Sequence, residues 1–230
     1  MSVKQISNLL SYLFHPLILV TLSLIYSFGL SSFEFAGTDM FLMTAQVLLL
    51  TYLFPAFTIV IMKKLGLIKD IHMKDRMDRI GPLIATMSFY LWAYINFQKS
   101  GLAIPDLFKI SLLGTSIALG IAFILTIFTK ISLHAIGMGG MVALVLVAML
   151  KFGYMQFDIS LFDYFKNSNF DLTNTQGFQF SQRIFFPIMV VVAGAVGMAR
   201  LYLDAHTTDQ LAGGYLVGII SMLIATGIIA

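Results

Sequence analysis

The sequence predicts an all-α integral membrane protein, a bundle of about seven transmembrane helices. Three observations carry this: 59% of the 230 residues are hydrophobic against 11% charged, the mean hydropathy is +0.91, and the apolar residues fall in runs of membrane-spanning length. A soluble domain of this size has no interior large enough to hide so much apolar surface. A bilayer core demands about 20 mostly apolar residues per helix.

The first run, Leu9 to Leu30, follows a start, Met1-Ser2-Val3-Lys4, that resembles a signal peptide. His15-Pro16 inside the run and the lack of a small-residue cleavage site make it a retained helix. Further spans are predicted at Met40 to Met62, Ile80 to Phe97, Leu107 to Thr129, Leu133 to Leu150, Ile184 to Leu203 and Leu211 to Ile229. Between the fifth and sixth, Lys151 to Arg183 carries Asn167, Ser168, Asn169, Asn174 and Gln176 among aromatics, which predicts a loop or interfacial hairpin outside the bilayer. No internal repeat or low-complexity tract divides the chain, so residues 1–230 read as one transmembrane domain. Gly137, Gly139, Gly140, Gly213, Gly214 and Gly218, with Ala193, Gly194, Ala195 and Gly197, read as close-packing surfaces, so the helices bearing the second and third polar segments can pack tightly together.

The chain has no cysteine, which excludes disulfides and thiolate metal sites. A formal charge of +3, spread over loops, is no nucleic-acid footprint. It suits anionic headgroups or phosphorylated substrates, and the expected setting is a multi-pass protein of a cell (inner) membrane.

Parity of spans makes the first functional deduction. The basic loop between Met62 and Ile80, the segment Lys130-Ile131-Ser132-Leu133-His134, and the segment Arg200 to Asp209 all return to one membrane face. Titratable groups at such a boundary carry a large solvation penalty, so their convergence predicts one composite site. Cations on that face would put it in the cytoplasm by the positive-inside rule. Setting aside those suited to phosphate removes the bias, so the side stays open.

The residue types state what such a site can hold. The loop offers Lys69, Lys74, Arg76 and Arg79; the second segment Ser132 and His134; the third Arg200, His206, Asp209 and Gln210. Guanidinium forks pair bidentately with phosphate oxygens, and lysine adds a point charge. Of two histidines, one can attack phosphorus while the other protonates the departing oxygen. His15 and His72 read as structural or solvated.

In this order the three segments resemble the motifs K-x6-R-P, P-S-G-H and S-R-x5-H-x3-D of the type 2 phosphatidic acid phosphatase superfamily of lipid phosphatases, related to vanadium-dependent haloperoxidases. Arg200-x5-His206 keeps the third spacing, Ser132-Leu133-His134 the core of the second, and Lys69-x6-Arg76 or Arg79-Ile80-Gly81-Pro82 parts of the first. The resemblance implies a chloroperoxidase-like phosphatase core in which His206 forms a phosphohistidine and His134 is the general acid. It further implies that Arg200, Arg76 or Arg79, Lys69 or Lys74, and Ser132 with its backbone neighbours hold the phosphoryl oxygens. The expected substrate is a lipid phosphate or polyprenyl diphosphate, and neither metal nor cofactor is expected. The family's acidic residue, which orients the nucleophile, would fall at Gln210, with Asp209 one residue early. Two other classes fit parts of the pattern: a magnesium-dependent prenyltransferase using Asp70, Asp75 and Asp78, and a silent lipid-phosphate binder or transporter.

Overall fold

The computed structural model describes residues 2–30, 37–71, 73, 75–100, 104–153, 156–158 and 179–230. They are helical apart from turns and one short antiparallel ladder, Gln156–Asp158 (β1) on Gln179–Ser181 (β2). Six helical stretches are long and apolar enough to cross a membrane, seven if a bent pair at the N-terminus counts as one span. Large apolar side chains such as Phe57, Val191, Leu216 and Ile228 face outward from them, as lipid-facing positions do.

The first predicted span is in fact two helices. Helix α1 (Val3–Leu13) opens on a capping box, with Ser2 Oγ accepting the Gln5 N–H and Gln5 Oε1 accepting the Ser2 N–H. Helix α2 (Pro16–Leu30) starts at a proline, which suits a first helical position and keeps the preceding residue out of a helical backbone. The pair is therefore bent by 59° at Phe14-His15, in place of one helix from Leu9 to Leu30.

Helix α3 (Gly37–Leu48) runs through a π-helical turn, Leu49–Leu53, into α4 (Phe54–Lys64). Pro55 has no N–H to offer the Thr51 carbonyl, and that carbonyl accepts the buried Tyr90 hydroxyl at 2.9 Å. Gly66, at φ +72°, ends α4, and the Leu67 N–H closes back on the Met62 carbonyl. A short 3₁₀ turn, Met77–Arg79, leads into α5 (Ile80–Lys99), followed by α6 (Asp106–Phe128), α7 (Leu133–Leu150), α8 (Gln182–Tyr202) and α9 (Thr208–Ile229). Most of the predicted loop from Lys151 to Arg183, including Asn167 to Gln176, lies outside the described residues.

One apolar core joins α2, α5 and α6 around Leu24, Tyr90, Phe97 and Phe108; another joins α2, α7, α8 and α9 around Leu144, Val145, Val196 and Met222. Helices α7 and α9 make the most extensive pairing, and missing side chains permit it. A Cβ on Gly139 would stand 2.5 Å from the Tyr215 carbonyl oxygen, and one on Gly214 2.8 Å from that of Ser132. This close approach fixes the start of α7 beside the start of α9.

Candidate functional site

Four helix junctions converge at one end of the bundle: α1 to α2, the turn into α5, α6 to α7, and α8 to α9. Hydrogen bonds across the junctions set their register. The Ser132 N–H donates to the Gln210 carbonyl at 3.4 Å. From one side Arg79 Nη1 donates to the Ile131 carbonyl at 2.8 Å, with Nε on the Met73 carbonyl at 3.1 Å; from the other Lys130 Nζ donates to the Ala205 carbonyl at 2.9 Å. Met73 and Asp204 hold positive φ values of 47° and 49°, in the two turns that deliver Arg79 and His206. Such backbone costs non-glycine residues about 1–3 kcal/mol and persists only where its surroundings enforce it. At Asp204 the enforcement includes an Ala205 N–H bond to the Arg200 carbonyl, which closes the end of α8.

His206 sits between α8 and α9 with its Nδ1 2.9 Å from Gln210 Oε1. That same oxygen accepts the Thr207 N–H at 3.4 Å, completing the capping box of α9. A backbone N–H requires an acceptor, so the cap fixes which amide atom faces the ring. Nδ1 therefore carries the proton, and Nε2 keeps its lone pair. Burial lowers the His206 pKa to about 4, helped by the charges of Arg79, Lys130 and Arg200 and opposed by the Gln210 bond. A pKa so far lowered favours the neutral imidazole at neutral pH. The Lys130 pKa is lowered as well, by burial and then by Arg79 and Arg200.

His134 and Arg200 meet at Ser11 of α1. His134 Nε2 lies 3.1 Å from the Ser11 carbonyl oxygen, which can only accept, so Nε2 carries that ring's proton. Arg200 Nη1 donates to Ser11 Oγ at 3.2 Å, while its buried Nε has no hydrogen-bond partner among the described residues. His15 stands edge-on to His134, with ring centroids 5.7 Å apart. Electrostatic interactions link Arg200 to His15, Arg79, Lys130, His134 and His206, which makes the group one cluster.

The three polar segments thus come together, though not with every residue named from them. Of the two arginines in the first, buried Arg79 joins the cluster. Arg76 is exposed and caps the end of α6 through the Ile127 and Phe128 carbonyls. Lys69 points to solvent, 3.6 Å from Asp75. Lys74 and His72 lie outside the described residues. Ser132 is fully buried as the N-cap of α7, its Oγ accepting the Ala135 N–H at 3.4 Å. Asp209 is exposed in the first turn of α9, and it is Gln210 that bonds His206. Three residues not named as site groups stand in or against the cluster: Lys130, Ser11 and His15. Lys130 was visible as a cation two residues before Ser132, and His15-Pro16 as a break in an apolar run.

The charge of the cluster is unbalanced. Among the described residues the ion pairs are Lys69–Asp75 and Lys109–Asp106, and neither touches Arg79, Lys130 or Arg200. Among the described residues the hydrogen bonds of those three cations go to neutral oxygens, leaving a net positive, partly desolvated site whose complement is an oxyanion. Among the described residues no group of three or more His, Cys, Asp or Glu could hold a metal ion. Comparison of the chain with protein-family models, with curated proteins and with solved structures finds no match.

Proposed function

We propose that this protein is a membrane phosphatase that removes a terminal phosphate from a lipid phosphate or polyprenyl diphosphate, with a chloroperoxidase-like core of the type 2 phosphatidic acid phosphatase kind. The observation that carries the reading is an imidazole held at Nδ1 by Gln210, with Arg79, Lys130 and Arg200 around it and, among the described residues, no carboxylate in an ion pair with those cations. Nucleophile and oxyanion ligands are what phosphoryl transfer needs, since charge stabilisation dominates its catalysis.

The chemistry balances on these groups. The Nε2 lone pair of His206 attacks phosphorus, the bond from phosphorus to the lipid oxygen breaks, and that oxygen takes up a proton from Nδ1 of His134 in its imidazolium form, since the Nε2–H stays on the Ser11 carbonyl. Water then attacks the phosphohistidine with His134 accepting its proton, which frees inorganic phosphate and restores Nε2. Arg79, Lys130 and Arg200 neutralise the phosphoryl oxygens throughout.

A second reading, a binder of lipid phosphate without turnover, is favoured by one observation: the partner of His206 is an amide, which cannot stabilise imidazolium by charge. The prenyltransferase reading is weaker. Asp75 accepts the Met77 N–H and pairs with Lys69, and Asp78 accepts the Lys69 N–H, so both are spent inside their loop.

Purified protein in nanodiscs, given a lipid phosphate with chelator present, tests the proposal. Vanadate-sensitive phosphate release that disappears in His206→Ala is expected. Wild-type turnover in that variant would sink the mechanism, and vanadate binding without release would move the assignment to the silent binder.

A further inference from the structure

The corner between α1 and α2 brings side chains to the cationic cluster from a stretch that belongs to none of the three polar segments. His15 is the N-cap of α2: its Nδ1 accepts the Leu17 N–H at 3.3 Å. A neutral ring so bonded carries its proton on Nε2, which makes that atom a donor. One turn earlier, Ser11 Oγ donates to the Ser7 carbonyl at 2.9 Å and accepts from Arg200, while the Ser11 carbonyl accepts from His134. That carbonyl lies in the last turn of α1, where the His15 N–H turns to Tyr12 instead, so His134 satisfies an acceptor the helix end leaves open. The outward side of α1 is apolar, with Val3, Ile6, Leu9, Tyr12 and Leu13 exposed. An amphipathic helix bent away from its neighbour in this way suits the membrane interface, where lipid headgroups lie.

We propose that the α1–α2 corner is a fourth wall of the anion site, in which His15 donates from Nε2 to an oxygen of a lipid-borne phosphate while Ser11 positions Arg200 and His134. The proposal rests on the lipid-phosphate reading above. Ser11 is a positioning residue, since it acts through its two neighbours.

The test separates the cap from the ligand. His15→Asn keeps a short side-chain acceptor for the Leu17 N–H and keeps the turn before Pro16, but removes the imidazole; His15→Ala removes both. Full-length protein in vesicles of phosphatidylcholine with a lipid phosphate, and in micelles with soluble 4-nitrophenyl phosphate, is assayed for turnover and for vanadate binding. We expect His15→Asn to melt with the wild type, to lose about tenfold or more in vanadate affinity, and to raise KM on both substrates, as loss of a hydrogen bond to a charged group does. Ser11→Ala should lower kcat more than it raises KM, with recovery in Ser11→Thr. Wild-type vanadate affinity and kcat/KM in His15→Asn, with only stability lost in His15→Ala, would reduce His15 to a cap and overturn the proposal. An effect confined to the lipid substrate would also overturn it, since the donor would then not touch the phosphoryl group. If the wild type binds vanadate without turnover and His15→Asn weakens that binding, this wall stands and only the catalytic reading fails. If the wild type binds no vanadate, the anion site falls and this wall with it.

Discussion

Gln210 holds the ring of His206 through a 2.9 Å bond from Nδ1 to Oε1, and the same oxygen caps α9 through the Thr207 N–H. One side chain therefore starts a helix and orients the imidazole proposed as the nucleophile. The coupling shows how an amide can orient the ring without a carboxylate: the cap locks the amide, and the amide locks the tautomer.

Gln210→Glu tests that coupling without disturbing the cap, because glutamate is equally suited to the third position of a capping box. A carboxylate beside His206 favours imidazolium, so the His206 pKa rises from about 4. Activity that needs the neutral ring is lost as pH falls through this pKa, so the acid limb of the kcat/KM profile should move to higher pH in the variant. Gln210→Leu should lower kcat about 10- to 100-fold through loss of orientation, by analogy with other supporting hydrogen bonds. An unmoved acid limb in Gln210→Glu would dissociate His206 from the rate.

Arg79 and Arg76 make an internal control for the choice between two nearby guanidinium groups. Arg79 reaches across the bundle end to the Ile131 carbonyl and faces His206, whereas Arg76 is exposed at the end of α6. Arg79→Ala should cost about 10²- to 10³-fold in kcat/KM, the size seen when a preorganised oxyanion donor is removed. Arg76→Ala should leave turnover near wild type and lower the melting temperature slightly. The reverse ranking in a phosphate-release assay would place the phosphoryl group elsewhere.

Lys130 anchors the turn that carries His206 through its 2.9 Å bond to the Ala205 carbonyl and adds a charge beside the ring. Lys130→Met removes both and keeps the stem. Vanadate affinity should fall about tenfold or more, as expected for a lost charge-assisted contact. The acid limb should move up in pH, since one cation fewer opposes imidazolium. Unchanged affinity and an unchanged limb would assign Lys130 to the fold alone.

Hydropathy made the spans legible because a bilayer enforces length: the stretches Ile80 to Phe97, Leu107 to Thr129 and Leu133 to Leu150 each fall within two or three residues of observed helices. Parity then placed the three polar segments together. The bend at His15 was written in Pro16, yet a run of apolar residues on both sides hid it, because hydropathy reads composition and not backbone geometry. Choosing Arg79 over Arg76 lay beyond spacing. The 3₁₀ turn of Met77–Arg79 turns successive side chains to different sides, and only the tertiary arrangement decides which one meets the loop around Ile131. Gln210 over Asp209 was decided by the cap, a local device that the Thr207-x-x-Gln210 spacing does encode.

The glycines of α7 and α9 give the last prediction, on stability and site together. A Cβ on Gly218 would overlap the Ile136 carbonyl oxygen and stand 2.7 Å from the Gly140 nitrogen, both backbone atoms that cannot rotate away. Gly218→Ala must therefore push α9 off α7, at about 1–3 kcal/mol or more of overpacking. The same displacement strains the Ser132 N–H bond to the Gln210 carbonyl and moves His206 relative to His134. Gly213, five residues earlier, has nothing within 4 Å of its added Cβ, so Gly213→Ala should melt like the wild type and keep its turnover. A thermal-shift and phosphate-release comparison should find both properties reduced in Gly218→Ala and neither in Gly213→Ala. Full activity in Gly218→Ala would mean that the site tolerates separation of the two helices, and that the close approach serves only packing.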